Sequence, residues 1–284
     1  MGSYALTNNT GGDYNTAVGG QALFYTTTGN NNTGIGYDAL QDNTTGSSNT
    51  AIGYQTLDLN TTASNNTAVG AQALHANTTA VDNTAVGKDA LLTTTTGHEN
   101  TAMGVSALKL TTTGRSNVAM GRETMQNNTT GNYNTALGYE ALKSNTTASY
   151  NVAVGQGSLQ SNTTASYNTA VGQDALTANT TGTQNVAVGA LALDANTDQN
   201  NNTAVGYAAL SANTGGTRLV AIGMNALVSN TTANNNVAVG NNALDANTTG
   251  ADNVAMGYNS LGSAVTVSNN TAIGHKSLEA DTTG

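Results

Sequence analysis

The stretch Asn66-Thr67-Ala68-Val69-Gly70 decides the fold, because a close copy of it returns every 17 residues along the chain. It reads NTAVG at 15, NTGIG at 32, NTAIG at 49, NVAMG at 117 and NTAIG at 270, and no insertion or deletion changes the spacing. A fixed period is the signature of a repeat architecture in which each unit contacts its neighbours. Seventeen residues are too few for a helical hairpin and match one coil of a β-solenoid. The sequence therefore predicts one continuous repeat array over residues 1–284.

Composition excludes several classes of function. Only 8% of the residues are charged and the formal net charge is −9, so the chain lacks both the high charge of disordered proteins and a basic patch for nucleic acid. Cysteine is absent, which excludes disulfides and thiolate metal sites. No apolar run approaches the length that spans a bilayer. We therefore expect neither nucleic-acid binding nor membrane insertion.

Both ends of the chain stop inside a repeat and in register. Met1-Gly2 occupies the Val-Gly place of the motif, and Asp281-Thr282-Thr283-Gly284 ends partway through the last repeat. Neither end has an atypical unit of the kind that caps a free-standing solenoid. The sequence therefore predicts an array uncapped at both ends, which is a segment of a longer array or a subunit that stacks end to end.

The repeat is read by columns, where column 1 is the Asn of each NTAVG-like motif and column 17 precedes the next one. Columns 2 and 4 hold Thr or Val and an apolar residue, and column 9 holds Leu in nearly every repeat. Since side chains alternate along a strand, we predict that columns 2 and 4 share one face and form the core together with column 9. The pattern predicts strands around columns 2 to 4 and 8 to 10, with a short third piece around 13 and 14. The invariant Gly of column 5 indicates a corner that needs positive φ or leaves no room for Cβ.

Columns 3 and 8 hold only small residues and never a charge. Something must approach them closely, either another part of the same coil or a neighbouring subunit, and both alternatives stay open. The oligomeric alternative predicts a lateral contact at Ala170 and Ala187. Stacked coils would also place the Asn and Thr columns in ladders that hydrogen-bond along the axis.

The pattern N-T/V-A-V/I-G-x-x-A/S-L resembles the head repeats of trimeric autotransporter adhesins. It is also similar to arrays in phage tail fibres and in bacterial surface proteins. The resemblance covers essentially the whole chain, although the NTTG-like second half makes this repeat longer than an adhesin head coil. The period predicts an all-β, parallel β-solenoid with about one coil per 17 residues. The resemblance implies that this solenoid is a left-handed β-roll. It further implies a homotrimer and an extracellular, cell-surface location.

The sequence offers no convergence of unlike chemical groups. His75, His98 and His275 fall in different columns of distant repeats, and the acidic residues of column 7 are intermittent and fit a solvated face. The calcium pattern G-G-x-G-x-D is absent. We therefore predict that the chain is not an enzyme and has no catalytic residue, cofactor or metal.

Two surface features bear on partners. Tyrosines recur in columns 6 and 17, where they either cover turns or stack on a carbohydrate. Column 12 supplies N-x-T sequons, which mark possible glycosylation or a structural Asn-Thr ladder. These candidate sites are Asn43, Asn60, Asn77, Asn128, Asn145, Asn162, Asn179, Asn230 and Asn247.

The function that the sequence favours is a structural extracellular fibre or adhesin-shaft segment. Its partners would be further copies of itself and, as a second possibility, a carbohydrate or cell-surface receptor. Two alternatives remain, a glycan-decorated surface filament and an ice-binding solenoid that uses the Thr ladders of columns 13 and 14.

Overall fold

The computed structural model describes residues 2–282 and shows an all-β parallel solenoid with one coil per 17-residue repeat. No helix occurs within this described range. Met1, Thr283 and Gly284 lie outside the described residues. The part of the predicted register that rests on these three residues lies outside them too. The chain divides into two compact units, Met1–Thr147 and Ala148–Gly284. The predicted all-β parallel solenoid and its coil length are confirmed, and the left-handed sense stays a prediction.

Each unit carries one three-residue strand per coil, and these strands form a parallel sheet in chain order with equivalent columns paired. The first unit contains β1 Thr16–Val18, β2 Thr33–Ile35, β3 Thr50–Ile52, β4 Thr67–Val69, β5 Thr84–Val86, β6 Thr101–Met103, β7 Val118–Met120 and β8 Thr135–Leu137. The second unit contains β9 Val152–Val154, β10 Thr169–Val171, β11 Val186–Val188, β12 Thr203–Val205, β13 Val220–Ile222, β14 Val237–Val239, β15 Val254–Met256 and β16 Thr271–Ile273.

The side chains of each strand face the opposite way to the one predicted. Column 3 faces inward, where Ala68 and Ala170 are fully buried, whereas columns 2 and 4 face outward and are half-buried or exposed. The prediction that columns 2 and 4 form the core is therefore wrong, while the Leu of column 9 is fully buried as predicted. Alternation itself was the right pattern, but a shift of one residue exchanges the two faces of a strand. The core of a coil is consequently one Leu surrounded by small residues.

Columns 3 and 8 are small because the interior of the same coil closes over them. Ala22, Ala73 and their equivalents in column 8 are fully buried together with the Ala of column 3. Within-chain packing thus accounts for both columns. The predicted lateral contact at Ala170 and Ala187 is wrong, because neither side chain reaches the surface.

The predicted second strand and the third piece are turns and bends, not strands. Column 7 and column 9 adopt the left-handed conformation, as at Gln72 with φ 58° and Leu74 with φ 51°, which an extended strand excludes. The N–H of Ala73 reaches back to the carbonyl of Gly70 at 3.3 Å, which closes a turn with positive φ at its third residue. Coil-to-coil hydrogen bonds nevertheless continue here, for example from Leu74 N to Ala90 O at 3.0 Å.

The Gly column behaves as predicted. Gly172 has φ +136°, and a Cβ built there would lie 2.5 Å from the carbonyl carbon and oxygen of Gly189 in the next coil. Both the left-handed conformation and the close approach of neighbouring backbones therefore require glycine.

Two ladders of buried Asn side chains run along the axis, as the repeat predicts. In column 1 the side-chain amide of Asn66 donates to Ala80 O at 2.9 Å, and its Oδ1 accepts from the N–H of Asn83 at 3.0 Å. In column 12 Asn60 donates to Asn43 Oδ1 at 2.9 Å and to Ala63 O at 3.1 Å. The ladders satisfy polar backbone groups that the narrow interior removes from water.

Candidate functional site

The outward face of each sheet is a uniform surface that the repeat creates. It consists of columns 2 and 4, whose side chains leave the strand on the side away from the core. Val186 is 36% exposed, Ile222 is 40% exposed and Met120 is 40% exposed. A sequence pattern normally read as core therefore lies in contact with solvent in the isolated chain.

No charged residue occurs among the outward positions of these strands. Column 4 is Val, Ile, Leu or Met in every strand, and column 2 alternates between Thr and Val. From strand spacing and width, eight strands give a face of roughly 300–400 Å² in each unit. The largest apolar patch of a typical monomer is of about this size and is often functional. Column 4 is the apolar part of this face, whereas column 2 contributes Thr hydroxyls as well as Val.

A second surface feature is a seam in which column 7 of one coil meets column 10 of the next. Lys143 donates to Glu123 at 2.8 Å and to Glu140 at 2.7 Å, and Arg122 pairs with Glu123 at 2.9 Å. The hydrogen bond from Lys143, followed by the one from Arg122, lowers the pKa of Glu123. The prediction of a freely solvated acidic face is wrong, because these carboxylates are partly buried and paired.

Near the N-terminal coils the same seam carries buried carboxylates. Asp38 and Asp58 are buried, and each has one oxygen without a hydrogen-bond partner. Burial raises the pKa of Asp58 to about 6; the neighbouring His75 opposes the shift, and Asp38 and Asp42 add to it. The Nδ1 atom of His75 lies 3.7 Å from Asp58 Oδ2. The arrangement concentrates negative charge in these coils.

The tyrosine columns are exposed and stack along the axis. Tyr37 and Tyr54 of column 6 have ring centroids 6.0 Å apart, and Tyr150 and Tyr167 of column 17 have centroids 5.2 Å apart. Neighbouring coils thus occupy part of the ring faces that a carbohydrate would need.

The nine candidate glycosylation residues of column 12 all lie in the interior. Their side chains are fully buried, and Asn60, Asn77 and Asn179 show the shared pattern of donation along the ladder. A glycosyl transfer enzyme can reach these amides only before the chain folds. Glycosylation at these residues stays a prediction that concerns the unfolded chain. The complete set is Asn43, Asn60, Asn77, Asn128, Asn145, Asn162, Asn179, Asn230 and Asn247.

The three histidines lie apart: His75 beside Asp58, His98 beside Glu99, and His275 stacked on Tyr258. Across residues 2–282, no group of three or more His, Asp or Glu side chains is positioned to hold a metal ion. The same range contains no helix with the length and apolarity needed to cross a membrane.

Comparison with known protein-family models gives no match, and comparison with curated protein sequences gives none either.

Proposed function

We propose that this chain is the repeat region of a structural fibre, outside the cell, whose subunits associate side by side through the outward faces of their sheets. The absence of charge from columns 2 and 4 and the apolar residues of column 4 support this proposal. A solvated face would be expected to collect charges over many coils, as columns 6, 7 and 10 do. Apolar side chains that stay at the surface are most simply explained by a partner that covers them.

The partner that fits best is a second copy of the same face. Both surfaces are built from strands with the same repeat along the axis, so rows of Val and Ile from two copies can interdigitate at each coil. Because both copies use the same face, the contact is isologous, and a dimer leaves neither of the two faces uncovered. The trimer implied by the adhesin resemblance would instead join its subunits through heterologous contacts.

Charge placed on this face tests the proposal. We expect the wild-type chain to sediment as an oligomer, and Val186→Lys with Ile222→Lys to shift it to monomer, because desolvating two ammonium groups opposes the contact. The matched control is Thr181→Lys with Thr232→Lys, which adds the same charge at exposed residues of column 14. A wild-type chain that is monomeric at every concentration contradicts the proposal.

Ice binding is a second candidate, and the outward face supports it better than column 13 does. The hydroxyls of column 13 donate to the next coil, as Thr44 does to Thr61 O at 2.9 Å, so they are not free to order water. On the outward face, consecutive coils instead present Thr at column 2 in register: Thr16, Thr33, Thr50, Thr67, Thr84 and Thr101. Thermal hysteresis that is lost in Thr67→Leu with Thr84→Leu would favour this function, and its absence in the wild type would reject it.

A further inference from the structure

The first coils contain a groove where the repeat is interrupted by unlike residues. It has a volume of about 570 Å³ and is lined by Asn8, Tyr25, Thr27, Asp42, Thr44 and Thr61. Asn8, Tyr25 and Asp42 are successive members of column 11, which holds mainly small residues in the second unit. The groove is open to solvent over most of its extent, so a ligand in it would keep one side exposed.

The floor of the groove is apolar although it is made of threonines. Thr27 donates its hydroxyl to Thr44 O at 3.1 Å, Thr44 to Thr61 O at 2.9 Å, and Thr61 to Thr78 O at 3.1 Å. Because the hydroxyls are engaged along the axis, the methyl groups are the part of these side chains that is left for a ligand.

An aromatic cluster fixes one wall. Phe24, the single phenylalanine of the chain, packs edge-on against Tyr25 with centroids 4.6 Å apart and against Tyr4 at 6.3 Å. Tyr25 nevertheless remains 46% exposed. The ring is thus held in position by its neighbours and still presents surface to the groove.

The coils around the groove carry negative charge. Residues 1–87 include no Lys or Arg, and their acidic residues are Asp13, Asp38, Asp42, Asp58 and Asp82. Asp42 itself lines the groove. Burial, followed by the charge of Asp38, raises the pKa of Asp42, so a bound cation would relieve an unfavourable charge.

We propose that this groove binds an organic ammonium ion, with the cationic nitrogen between the Tyr25 ring and the Asp42 carboxylate and its alkyl or ring carbons on the threonine methyls. An aromatic ring attracts such cations through its quadrupole, and the carboxylate adds charge pairing. This binding site is independent of the outward sheet face, so either proposal can fail without the other.

The test titrates the full-length chain with choline and, in parallel, with its neutral carbon isostere 3,3-dimethylbutanol. We expect choline to bind at least about tenfold more tightly, because only the ammonium gains from the ring and the carboxylate. Tyr25→Leu and Asp42→Asn should each weaken choline binding about tenfold. Tyr54→Leu and Asp82→Asn are the matched controls and should leave the affinity unchanged.

A second arm distinguishes alkylammonium ligands from amino sugars. Glucosamine and glucose share a pyranose ring, and only glucosamine carries an ammonium group. Tighter binding of glucosamine than of glucose therefore supports an amino sugar as the ligand. Equal binding of choline and its neutral isostere overturns the proposal. So does wild-type affinity in folded Tyr25→Leu and Asp42→Asn variants, or an absence of binding by both choline and glucosamine.

Discussion

At the scale of single residues, the coil depends on side chains held in a conformation that usually favours glycine. Asn65, Gln72 and Leu74 have φ of 62°, 58° and 51°, and the same three columns repeat this in nearly every coil. Each such residue costs about 1–2 kcal/mol. Hydrogen bonds between coils offset this cost, such as Gln72 N to Tyr54 O at 2.9 Å, and so does the complete burial of Leu74.

The ladder of column 12 has a defect that can be repaired. Where Thr94 replaces Asn, its hydroxyl is buried without a partner, and Asn77 Oδ1 in the preceding coil also lacks one. We expect Thr94→Asn to stabilise the fold by about 1–2 kcal/mol, because its amide can donate to Asn77. Chemical denaturation measures the gain, and Thr95→Asn in the half-exposed neighbouring column is the control. A destabilised Thr94→Asn variant would show that the interior lacks room for the larger side chain.

Asp58 makes stability depend on pH. Its pKa rises from an ordinary value near 3.8 to about 6 on folding, so the folded state binds the proton more tightly. The contribution of Asp58 to the free energy of unfolding is therefore fully present below pH 4 and is lost as the pH rises through 6. We expect Asp58→Asn to be more stable than wild type at pH 8 by about 1–3 kcal/mol, with solvent screening setting the lower figure, and equally stable below pH 4. Melting curves at both pH values test this, with the exposed Asp82→Asn as control.

At the scale of the strand, the direction in which a side chain points decides how much its substitution changes the stability of the fold. Ala170 is fully buried, whereas Thr169 beside it faces outward. We expect Ala170→Glu to destabilise the fold by more than about 3 kcal/mol, because it buries a carboxylate in a core with no space for it. Thr169→Glu should change stability by less than about 1 kcal/mol. Circular dichroism melts compare the two, and a stable, folded Ala170→Glu chain would contradict the observed phase.

The sequence was sufficient to predict the coil length, the Gly corner, the buried Leu and the Asn ladders, because each of these requires one residue type at a fixed spacing. It was not sufficient for the strand phase, since an alternating T-A-V pattern fits either face, and the smaller Ala proved to be the inward residue. The turns at columns 7 and 9 were missed because Gln72 and Leu74 carry no sign of left-handed backbone. The groove was also missed, although the aromatic pair Phe24-Tyr25 breaks the repeat visibly in the sequence.

At the scale of the whole molecule, the repeat separates two tasks that a globular protein combines. The small residues and Asn ladders fill the interior of each coil and satisfy most of its buried polar groups, with exceptions such as the Thr94 hydroxyl. The uncharged columns 2 and 4 take no part in that interior and are available for association. The chain has a net charge of −9, but none of its charged residues lies on the sheet face. Charge repulsion between two copies therefore comes from other parts of the surface.

Association through the outward face should therefore appear as extra stability that depends on concentration. Anything that binds only the folded chain raises its melting temperature by mass action, and a second copy does so in proportion to the logarithm of its concentration. We expect the melting temperature of the wild type to rise by several degrees over a hundredfold increase in concentration, and to rise further with sulfate, which strengthens apolar contacts. In Val186→Lys with Ile222→Lys both dependences should vanish, while Thr181→Lys with Thr232→Lys should retain them. A concentration-independent wild type, or a lysine variant on the sheet face that behaves like the wild type, would remove the sheet face as the site of assembly.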